Sequence, residues 1–570
     1  MDTATATFKK DISLDAPWAL VEAFASQHRE KPEDADRGAE MIAEALQAHG
    51  VPVTMHRPNL FLSLPGEASI KAGGMVFRAK PPAFCASRPE GVYGELIHMA
   101  QASGGTPLDR TPATAQALEA ARGKIAIIEG FALPNFVAGL ETAGAIGVIA
   151  VNPGEMIHWG TVSTIWGTPE PADLERLPRI PSAAVNRPDG DRLIAMAADG
   201  ARATIHTELE TGWFPQYVPV VEIPGTEKPE EFVLVHGHYD SWREGVGDNG
   251  TGNACMLEVA RVLWQNRAHL RRSVRLAWWA GHSTGRYGGS AWFADTFALD
   301  LEDNCVAHMN CDSPGCRWAT DYSTVSCMSE TEGLVREAVA EVTGQSAKRK
   351  RPQRNSDYTF NNIGISACFM ASSMMTDEKR AEVGYYVVGG CGGNIAWHTE
   401  TDTLEIADRD VLEKDIALYL EVAVRFANDE IVPVDWRATV TEFKATITEY
   451  QDTVGADFDL GPAADALSAL GQALDRFHSA IADKTIPSDR INATNRALAR
   501  VLIPVNYTRG PRFTHDPALN VPPLPTIAEA GIFASMPEDQ KGFAKTQLLR
   551  GRNRLVAALR DATRTVEAAL

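Results

Sequence analysis

The sequence predicts an α/β protein with a mostly parallel sheet, a region of short strands before most of that sheet, and a helical region after it. Between about 213 and 432, buried strand patterns alternate with helical patterns, which favours a parallel sheet. From about 56 to 212 the chain has short strands punctuated by glycine and proline. After Asp435 the apolar residues recur at helical spacing. A chain of 570 residues exceeds what one hydrophobic core supports, so two to four domains are expected.

The bulk composition restricts the possible partners. The net charge of −20 and the sequence pI of about 5.2 disfavour nucleic acid and anionic membranes as partners. The N-terminus M-D-T-A-T-A-T-F-K-K has no apolar signal region, and no apolar run is long enough to span a bilayer, so a cytoplasmic protein is expected. Eight cysteines are too sparse for a disulfide scaffold, and we expect buried or free thiols.

The first part of the chain predicts scaffold rather than chemistry. Residues 14–55 have helical periodicity and lead into a strand. Gly123–Gly130 and Ala143–Asn152 read as strands with a helix between them. No catalytic constellation appears from 56 to 212, so this region is expected to be an accessory or lid domain.

The stretch from Glu231 to Gly252 predicts the functional site. An apolar run reads as a buried strand, which ends at His238 and Asp240 and is followed by Asp248 and then by a helix. Ligands of parallel sheets gather at the carboxyl ends of strands, so these side chains indicate a metal site or an acid–base site. The alternative is a hydrogen-bonded structural pair followed by a common D-N-G turn.

Two later segments deliver more groups of the same kind. The predicted strand Val306–Asn310 leads to Asp312, and W-H-T-E-T-D-T surrounds His398. Candidate ligands from separate segments are typical of a site built on a folded scaffold. Asp402, in the second segment, either supports His398 or caps a helix.

The motifs, taken in this order, resemble the zinc peptidases related to glutamate carboxypeptidase and bacterial aminopeptidases, a family that also includes the transferrin receptor. H-Y-D-S-W with D-N-G-T-G, N-C-D-S and W-H-T-E-T-D-T carry the resemblance. Gly123–Asn152 resembles the family's protease-associated domain, and the tail with R-A-L-A-R-V-L-I-P and P-R-F-T-H resembles its helical dimerisation domain. The resemblance implies a zinc-peptidase core of residues 1–55 and 213–435, a β-rich insert at 56–212, and a dimerisation domain at 436–570.

The resemblance also implies a metal centre. His238 and Asp312 would bind one ion, His398 would bind a second ion, and Asp248 would bridge the two. Asp240 would fix the tautomer of His238 and so take part in catalysis. Imidazole and carboxylate ligands suit zinc, and they also accept manganese, cobalt or iron. One or two ions, with zinc first, are therefore expected.

The segment after the predicted strand Val274–Ala280 departs from the family. Family members carry two adjacent glutamates here, a general base and a ligand of the second zinc. This sequence reads G-H-S-T-G-R-Y-G-G-S and has no carboxylate. Counting from the strand places His282 and Ser283 at the two positions, whereas counting back from G-G-S places Ser283 and Thr284 there.

Three interpretations of His282 follow. It replaces a glutamate as a metal ligand, it acts as a general acid–base beside the metal, or it belongs to a dead site in a binding protein. Alternatively, His282 is an ordinary polar residue at a strand end with no role in catalysis. Because the other ligand positions and Asp240 are retained, we expect an active metallohydrolase.

Four further residues are candidate substrate contacts. Arg286 and Tyr287 follow His282 on a glycine-rich loop, where an arginine can bind a carboxylate through two hydrogen bonds; surface packing is the alternative. Asp357 and Tyr358 lie in N-S-D-Y, which resembles a pocket-lining segment of the family.

We therefore expect a metallopeptidase-like hydrolase in which metal-activated water cleaves an amide or peptide-like bond of a small molecule or short peptide, with His282 in place of the glutamate pair. Specificity for a C-terminal glutamate is not expected, because the segment after His515 lacks the lysine–tyrosine loop of glutamate carboxypeptidases. The alternatives are an inactive receptor-like binding protein and a metal enzyme of another class, such as a lyase or a hydrolase of non-peptide amides. A homodimer through the helical domain is expected.

Overall fold

A computed structural model describes residues 3–100, 118–369 and 373–570. The strands are β1 (Thr54–His56), β2 (Asn59–Ala72), β3 (Met75–Ala79), β4 (Arg88–His98), β5 (Ile125–Glu129), β6 (Gly147–Val151), β7 (Ser182–Val185), β8 (Arg202–Pro215), β9 (Val218–Ile223), β10 (Lys228–His238), β11 (Arg272–Trp279), β12 (Cys305–Asn310), β13 (Thr324–Ser326), β14 (Lys348–Lys350) and β15 (Ala367–Cys368). The α-helices are α1 (Thr3–Lys9), α2 (Asp15–Phe24), α3 (Pro32–Ala48), α4 (Pro134–Thr142), α5 (Arg187–Ala198), α6 (Thr251–Gln265), α7 (Gly288–Thr296), α8 (Ala298–Asn304), α9 (Glu332–Thr343), α10 (Asp377–Val383), α11 (Arg409–Asn428), α12 (Trp436–Val454), α13 (Gly461–Ala482), α14 (Ser488–Tyr507) and α15 (Glu538–Ala569).

A mixed sheet of six strands, in the order β1-β9-β11-β10-β12-β15, carries the predicted site at its centre. Strands β11, β10, β12 and β15 are parallel, and β9 and β1 continue the sheet as antiparallel strands at one edge. The last seven residues of β10 and all of β12 are buried, because helices cover both faces of the sheet. Such strands read as continuous apolar runs. The predicted α/β class is therefore confirmed, with an antiparallel edge that the sequence pattern did not indicate.

Helix α6 packs against this sheet and begins directly after the loop that holds Asp248. It is buried around nearly its whole circumference, from Thr251 to Leu263. A helix in this position fixes the loop between itself and β10, since both ends of the loop belong to buried elements. Residues of α1, α2 and α3 contribute to the same hydrophobic core as β10, β11 and α6.

A second sheet of seven strands, in the order β3-β2-β8-β4-β5-β6-β7, has its own core. The strands predicted around Gly123–Gly130 and Ala143–Asn152 are present as β5 and β6, with α4 between them. They pair in parallel because the connecting helix crosses over the sheet. The region predicted as an insert at 56–212 includes 101–117, which lie outside the described residues, and its boundaries stay predictions.

The C-terminal region is helical, as its periodicity predicted. One core cluster contains the buried faces of α12 to α15, including Phe443, Ile447, Leu470, Leu548 and Leu559. Apolar residues at i, i+3, i+4 and i+7 form a stripe that two antiparallel neighbours can bury. Within the described residues, no helix combines the length and apolar character needed to cross a membrane. The homodimer and the cytoplasmic location stay predictions.

All eight cysteines are buried and free, which confirms the expectation of buried thiols rather than disulfides. Burial raises the pKa of the Cys85 thiol to about 12, so it is protonated at neutral pH. A protonated, inaccessible thiol is a poor nucleophile and a poor metal ligand.

Glu330, where the sheet core meets the helical bundle, predicts a pH-dependent loss of stability. Its side chain is 3% exposed, Oε1 lacks a hydrogen-bond partner among the described residues, and burial raises its pKa from 4.5 to about 7. The folded state therefore holds a proton that the unfolded state loses above about pH 4.5, so stability falls as the pH rises from 4.5 to about 7 and levels off above that. We expect Glu330→Gln to raise the free energy of unfolding by about 1–3 kcal/mol at pH 8, which is measured as a higher thermal midpoint. Near pH 5 the substitution should leave the midpoint unchanged. An equal change at both pH values would contradict this account.

Candidate metal centre and its cavity

The centre of the first sheet delivers three potential ligands to one point. Strand β10 ends at His238, the turn after β11 holds His282, and Asp312 follows β12. One ligand atom of each of these residues lies within 4.8 Å of the others. The three segments are adjacent in the sheet and parallel, so their carboxyl ends meet at the same edge. The structure thus brings together residues that lie far apart in the sequence.

Asp248 lies between two imidazoles. Its Oδ1 is 3.1 Å from Nε2 of His238, and its Oδ2 is 3.1 Å from Nε2 of His398. Burial alone would raise the pKa of the Asp248 carboxyl, but the contacts with His238 and His398 outweigh burial and lower that pKa. Asp248 is therefore an anion that presents one oxygen toward the His238 side and the other toward His398.

Orphaned polar atoms show that this cluster fits a cation. Nε2 of His238 and Oδ1 of Asp248 are buried and, among the described residues, neither has a hydrogen-bond partner, although the two atoms are only 3.1 Å apart. The other nitrogen of His238, Nδ1, lies 2.9 Å from the main-chain oxygen of Asp240 and donates to it. Nε2 therefore faces the carboxylate oxygens of Asp248 and Asp312. Burial lowers the pKa of His238, but these two carboxylates outweigh burial and raise that pKa well above its usual value. Imidazole nitrogen with carboxylate oxygen is a donor set that zinc accepts.

His282 is held by two carboxylates on different sides. Its main-chain N–H donates to the Asp240 carboxylate at 3.0 and 3.1 Å, and its Nδ1 lies 2.6 Å from Oδ2 of Asp357. Its ring stacks on that of His238, with 3.8 Å between centroids. These contacts orient the ring toward the cluster, because the Nδ1 edge is fixed by Asp357.

Asp357 was predicted to contact substrate, but the structure places it behind His282. It is fully buried and also accepts a hydrogen bond from the Ser290 hydroxyl at 2.5 Å. Burial raises the pKa of the Asp357 carboxyl, but the charge of His282 and the hydrogen bonds from His282 and Ser290 outweigh burial, and the pKa is lowered. Asp357 is therefore an ionised partner of the imidazole. The segment around His282 contains no carboxylate, and this could have indicated that a carboxylate from a distant segment pairs with His282.

Two supporting aspartates act differently from the expectation. The main-chain oxygen of Asp240, not its carboxylate, fixes the tautomer of His238, and the carboxylate holds the backbone of His282 instead. Asp402 does not contact His398 and does not cap a helix; it accepts hydrogen bonds from the main-chain N–H groups of Gly247 and Asp248. Burial raises the pKa of the Asp402 carboxyl to about 7. Asp402 therefore supports the loop that presents Asp248.

His398 is oriented from the other sheet region. Its Nδ1 donates to the main-chain oxygen of Trp159 at 3.0 Å, and its ring stacks on Trp397 with 3.8 Å between centroids. Trp159 belongs to the region that carried no predicted site residue. Sequence reasoning missed this contribution, because a main-chain acceptor leaves no side-chain signal in a sequence.

A cavity of about 460 Å³ opens onto the cluster. Asp248, His282, Asp312 and His398 lie on its wall, together with Arg286, Tyr287, Phe131, Trp159 and Trp397. This size is typical of a small-molecule site. Tyr358 does not line the cavity: it is fully buried and its hydroxyl donates to the main-chain oxygen of Phe369. The structure therefore places Tyr358 in the core, away from any substrate.

The carboxyl ends of the parallel strands present imidazole and carboxylate groups to one cavity, which is the arrangement of a metal-binding site in an α/β fold. Residues 220–423 match the family model described as Peptidase family M28. The predicted relationship to zinc peptidases is confirmed.

Known proteins show the same relationship. Carboxypeptidase Q of Mus musculus is 33% identical over 122 residues, which are 20% of this chain and 26% of that protein. The probable glutamate carboxypeptidase VP8 of Zea mays is 34% identical over 93 residues, 16% of this chain and 13% of that protein. The alignments therefore span about a quarter or less of these curated relatives.

Solved structures share the fold over a larger part of the chain. A peptidase M28 precursor from Shewanella amazonensis has a TM-score of 0.57 at 19% identity, covering 75% of this chain and 96% of that one. An aminopeptidase from Aneurinibacillus sp. strain AM-1 has a TM-score of 0.54 at 17% identity, covering 74% and 96%. BSAP, a zinc aminopeptidase from Bacillus subtilis, has a TM-score of 0.51 at 20% identity, covering 73% and 93%.

Proposed function

We propose that this protein is a zinc-dependent hydrolase that cleaves an amide or peptide-like bond of a small molecule or short peptide. The observation that carries the proposal is the convergence of His238, His282 and Asp312 on one point, with Asp248 in contact with His238 and with His282 itself paired with a buried carboxylate. The match of residues 220–423 to the model of peptidase family M28 supports the same class of reaction.

His238, Asp248 and Asp312 are the ligands in this proposal. Three protein ligands leave a position open for water or substrate, which distinguishes catalytic from structural zinc sites. When bound, the ion polarises the substrate carbonyl and lowers the pKa of water. On the far side of Asp248, His398 is the partner of the second oxygen. Among the described residues, the one group of three potential ligands consists of His238, His282 and Asp312. In this proposal, the centre holds one ion, and His398 fixes the orientation of Asp248.

His282 takes the place of the missing glutamate pair as the proton carrier. With Nδ1 donating to ionised Asp357, Nε2 of His282 is free to accept the proton of the attacking water. The water oxygen bonds to the carbonyl carbon, His282 passes the proton to the leaving nitrogen, and the C–N bond breaks to give a carboxylate and an amine. Asp357 stabilises the imidazolium between these two transfers, because it carries the opposite charge at 2.6 Å.

The seven-stranded sheet is, in this proposal, the protease-associated domain. Trp159, which lies in the predicted insert region, supports this assignment. Its carbonyl accepts a hydrogen bond from His398, and its side chain lies on the cavity wall, so the insert contributes to the site. A cytoplasmic homodimer that acts on a small-molecule substrate completes the proposal.

Metal content is the direct test. We expect about one zinc per chain, by mass spectrometry of protein loaded with zinc and then dialysed, and none after treatment with a chelator. Binding of an ion to the folded state alone should also raise the thermal midpoint. Hydrolysis of N-acyl amino acids should appear with zinc and disappear with the chelator. Two ions per chain would contradict the single centre, and no retained metal would contradict the hydrolase itself.

A further inference from the structure

The two sides of the cavity differ in chemistry, and the metal centre lies between them. A chain of contacts crosses the site: Trp397 stacks on His398, His398 contacts Asp248, Asp248 contacts His238, and His238 stacks on His282. Beyond His282, the ring of Tyr287 lies edge-on at 5.0 Å between centroids. A substrate bound at the centre therefore has one end near Trp397 and the other near Tyr287.

The His398 side is apolar and aromatic. The apolar residues of the cavity wall include Pro82, Phe131, Leu133, Pro134, Trp159 and Trp397, and His158 packs against Phe131 and Trp397. Phe131 packs edge-on against Trp397, with 5.5 Å between centroids. Such a surface binds a flat or bulky apolar group through burial and ring contacts. No charge is needed on that end of the substrate.

The His282 side contains a buried cation for which the described residues provide no acidic partner. Arg286 is 8% exposed and lies on the cavity wall. Its guanidinium donates to the Tyr287 hydroxyl and to the Ala518 main-chain oxygen, both at 3.2 Å and both neutral. Its Nε is buried and has no hydrogen-bond partner within the described part of the chain. A permanent charge in such a place is costly unless something neutralises it.

A second buried guanidinium, that of Arg354, lies near Arg286 and adds positive charge to this side of the site. Arg354 is also buried, and its hydrogen bonds go to the main-chain oxygens of Asp516, Pro517 and Tyr358. Burial lowers the pKa of Arg354 to about 10; the charge of Asp516 opposes this shift, and the nearby charge of Arg286 adds to it. The two cations thus repel each other, while only Arg286 reaches the cavity.

The carboxylates of the cavity do not suit a substrate with a free amine. Among the described residues on its wall, the only carboxylates are Asp248 and Asp312, and both belong to the metal centre. A free α-ammonium group would therefore lack a counter-charge of its own. An acylated nitrogen needs none.

We infer that Arg286 is a specificity-determining residue, and that the substrate is an N-acyl amino acid with an apolar or aromatic acyl group and a free carboxylate. The acyl group lies against Phe131, Trp159 and Trp397, and the carboxylate forms paired hydrogen bonds with the guanidinium of Arg286. This inference rests on the proposed function, because it assigns the two ends of the amide that the centre cleaves.

The test compares N-benzoylglycine with N-benzoylglycinamide, which differ only in the charge of one end. Binding to the zinc-loaded full chain is measured by titration calorimetry, and turnover by the release of glycine or glycinamide. We expect the wild type to favour the carboxylate by about 10- to 100-fold in both readouts. Arg286→Met should abolish that preference, and Arg286→Lys should restore only a part of it, because lysine cannot form two parallel hydrogen bonds. Arg354→Met is the matched control, since it removes an equally buried guanidinium that does not reach the cavity, and it should leave the preference intact.

The outcomes separate this inference from the proposed function. A carboxylate preference in binding without any hydrolysis would overturn the hydrolase and keep the assignment of Arg286. Hydrolysis of both compounds at equal rates, or equal binding of both by the wild type, would overturn the assignment of Arg286 and keep the hydrolase. Failure of both compounds to bind at millimolar concentration would overturn the substrate class. The wild-type comparison involves no substitution, so a misfolded variant cannot obscure it.

Discussion

His282→Ala is expected to lower kcat by about 10²- to 10⁴-fold, the usual contribution of a positioned general acid–base, while the zinc content stays at that of the wild type. The reason is the separation of roles around the cluster. In the proposed centre, His238, Asp248 and Asp312 would supply the ligands, whereas Nδ1 of His282 is engaged by Asp357 at 2.6 Å. Metal content by mass spectrometry and turnover of an N-acyl amino acid, measured on the same preparation, check both halves of the prediction.

Two further variants sharpen this experiment. Asp357→Asn keeps the size of the side chain but removes the charge that stabilises the imidazolium, and it should lower kcat by a smaller factor with little change in KM. Ser283→Ala is the control, because Ser283 lies on the cavity wall in the neighbouring position and contributes no proton in this mechanism. If His282→Ala instead loses its zinc together with its activity, His282 is a ligand and the proton carrier must be sought elsewhere.

Asp248→Ala is expected to weaken zinc binding by more than about 100-fold, which exceeds the effect typical of residues that only support a ligand. The same substitution should reduce hydrolysis to the uncatalysed rate. Asp248 supplies one of three ligands, and its loss also leaves Nε2 of His398 without its carboxylate partner. Zinc titration by calorimetry and the content of dialysed protein measure the effect.

Asp402→Asn provides a graded comparison for Asp248. The Asp402 carboxylate holds the backbone N–H groups of Gly247 and Asp248 at 2.6 and 2.9 Å, so its change should loosen the ligand rather than remove it. We expect a weakening of zinc binding by about 10- to 100-fold. Full zinc content in Asp248→Ala, or a larger effect in Asp402→Asn than in Asp248→Ala, would show that Asp248 is not a ligand.

The elements around the site could be read from the sequence because their signals are local. Strand β10 is a continuous apolar run, and α6 follows it with helical periodicity, since both are buried against their neighbours. The stripes of the C-terminal helices were equally clear. The antiparallel edge formed by β9 and β1 was not, because a strand buried on both faces has the same pattern in either direction.

The site itself could be predicted only as far as residue types and strand ends allow. Strand ends indicated where His238, Asp248 and Asp312 would gather. The partners of these residues were assigned wrongly for Asp402 and incompletely for Asp240, and Asp357 was assigned to the substrate. Each error has the same cause: a hydrogen bond between distant segments has no spacing rule, and a backbone acceptor such as the Trp159 carbonyl has no sequence signature.

The sequence by itself determined the α/β class, the buried strands that carry the candidate ligands, and a segment after β11 that contains one histidine and no carboxylate. These are properties of periodicity and residue type, which act within a few positions along the chain. The tertiary structure alone decided that His282 is paired with Asp357, that Asp248 lies between two imidazoles, and that Arg286 is buried at the cavity without an acidic partner among the described residues. These are properties of distance in space, because charges and hydrogen bonds act over a few ångströms between residues that folding brings together.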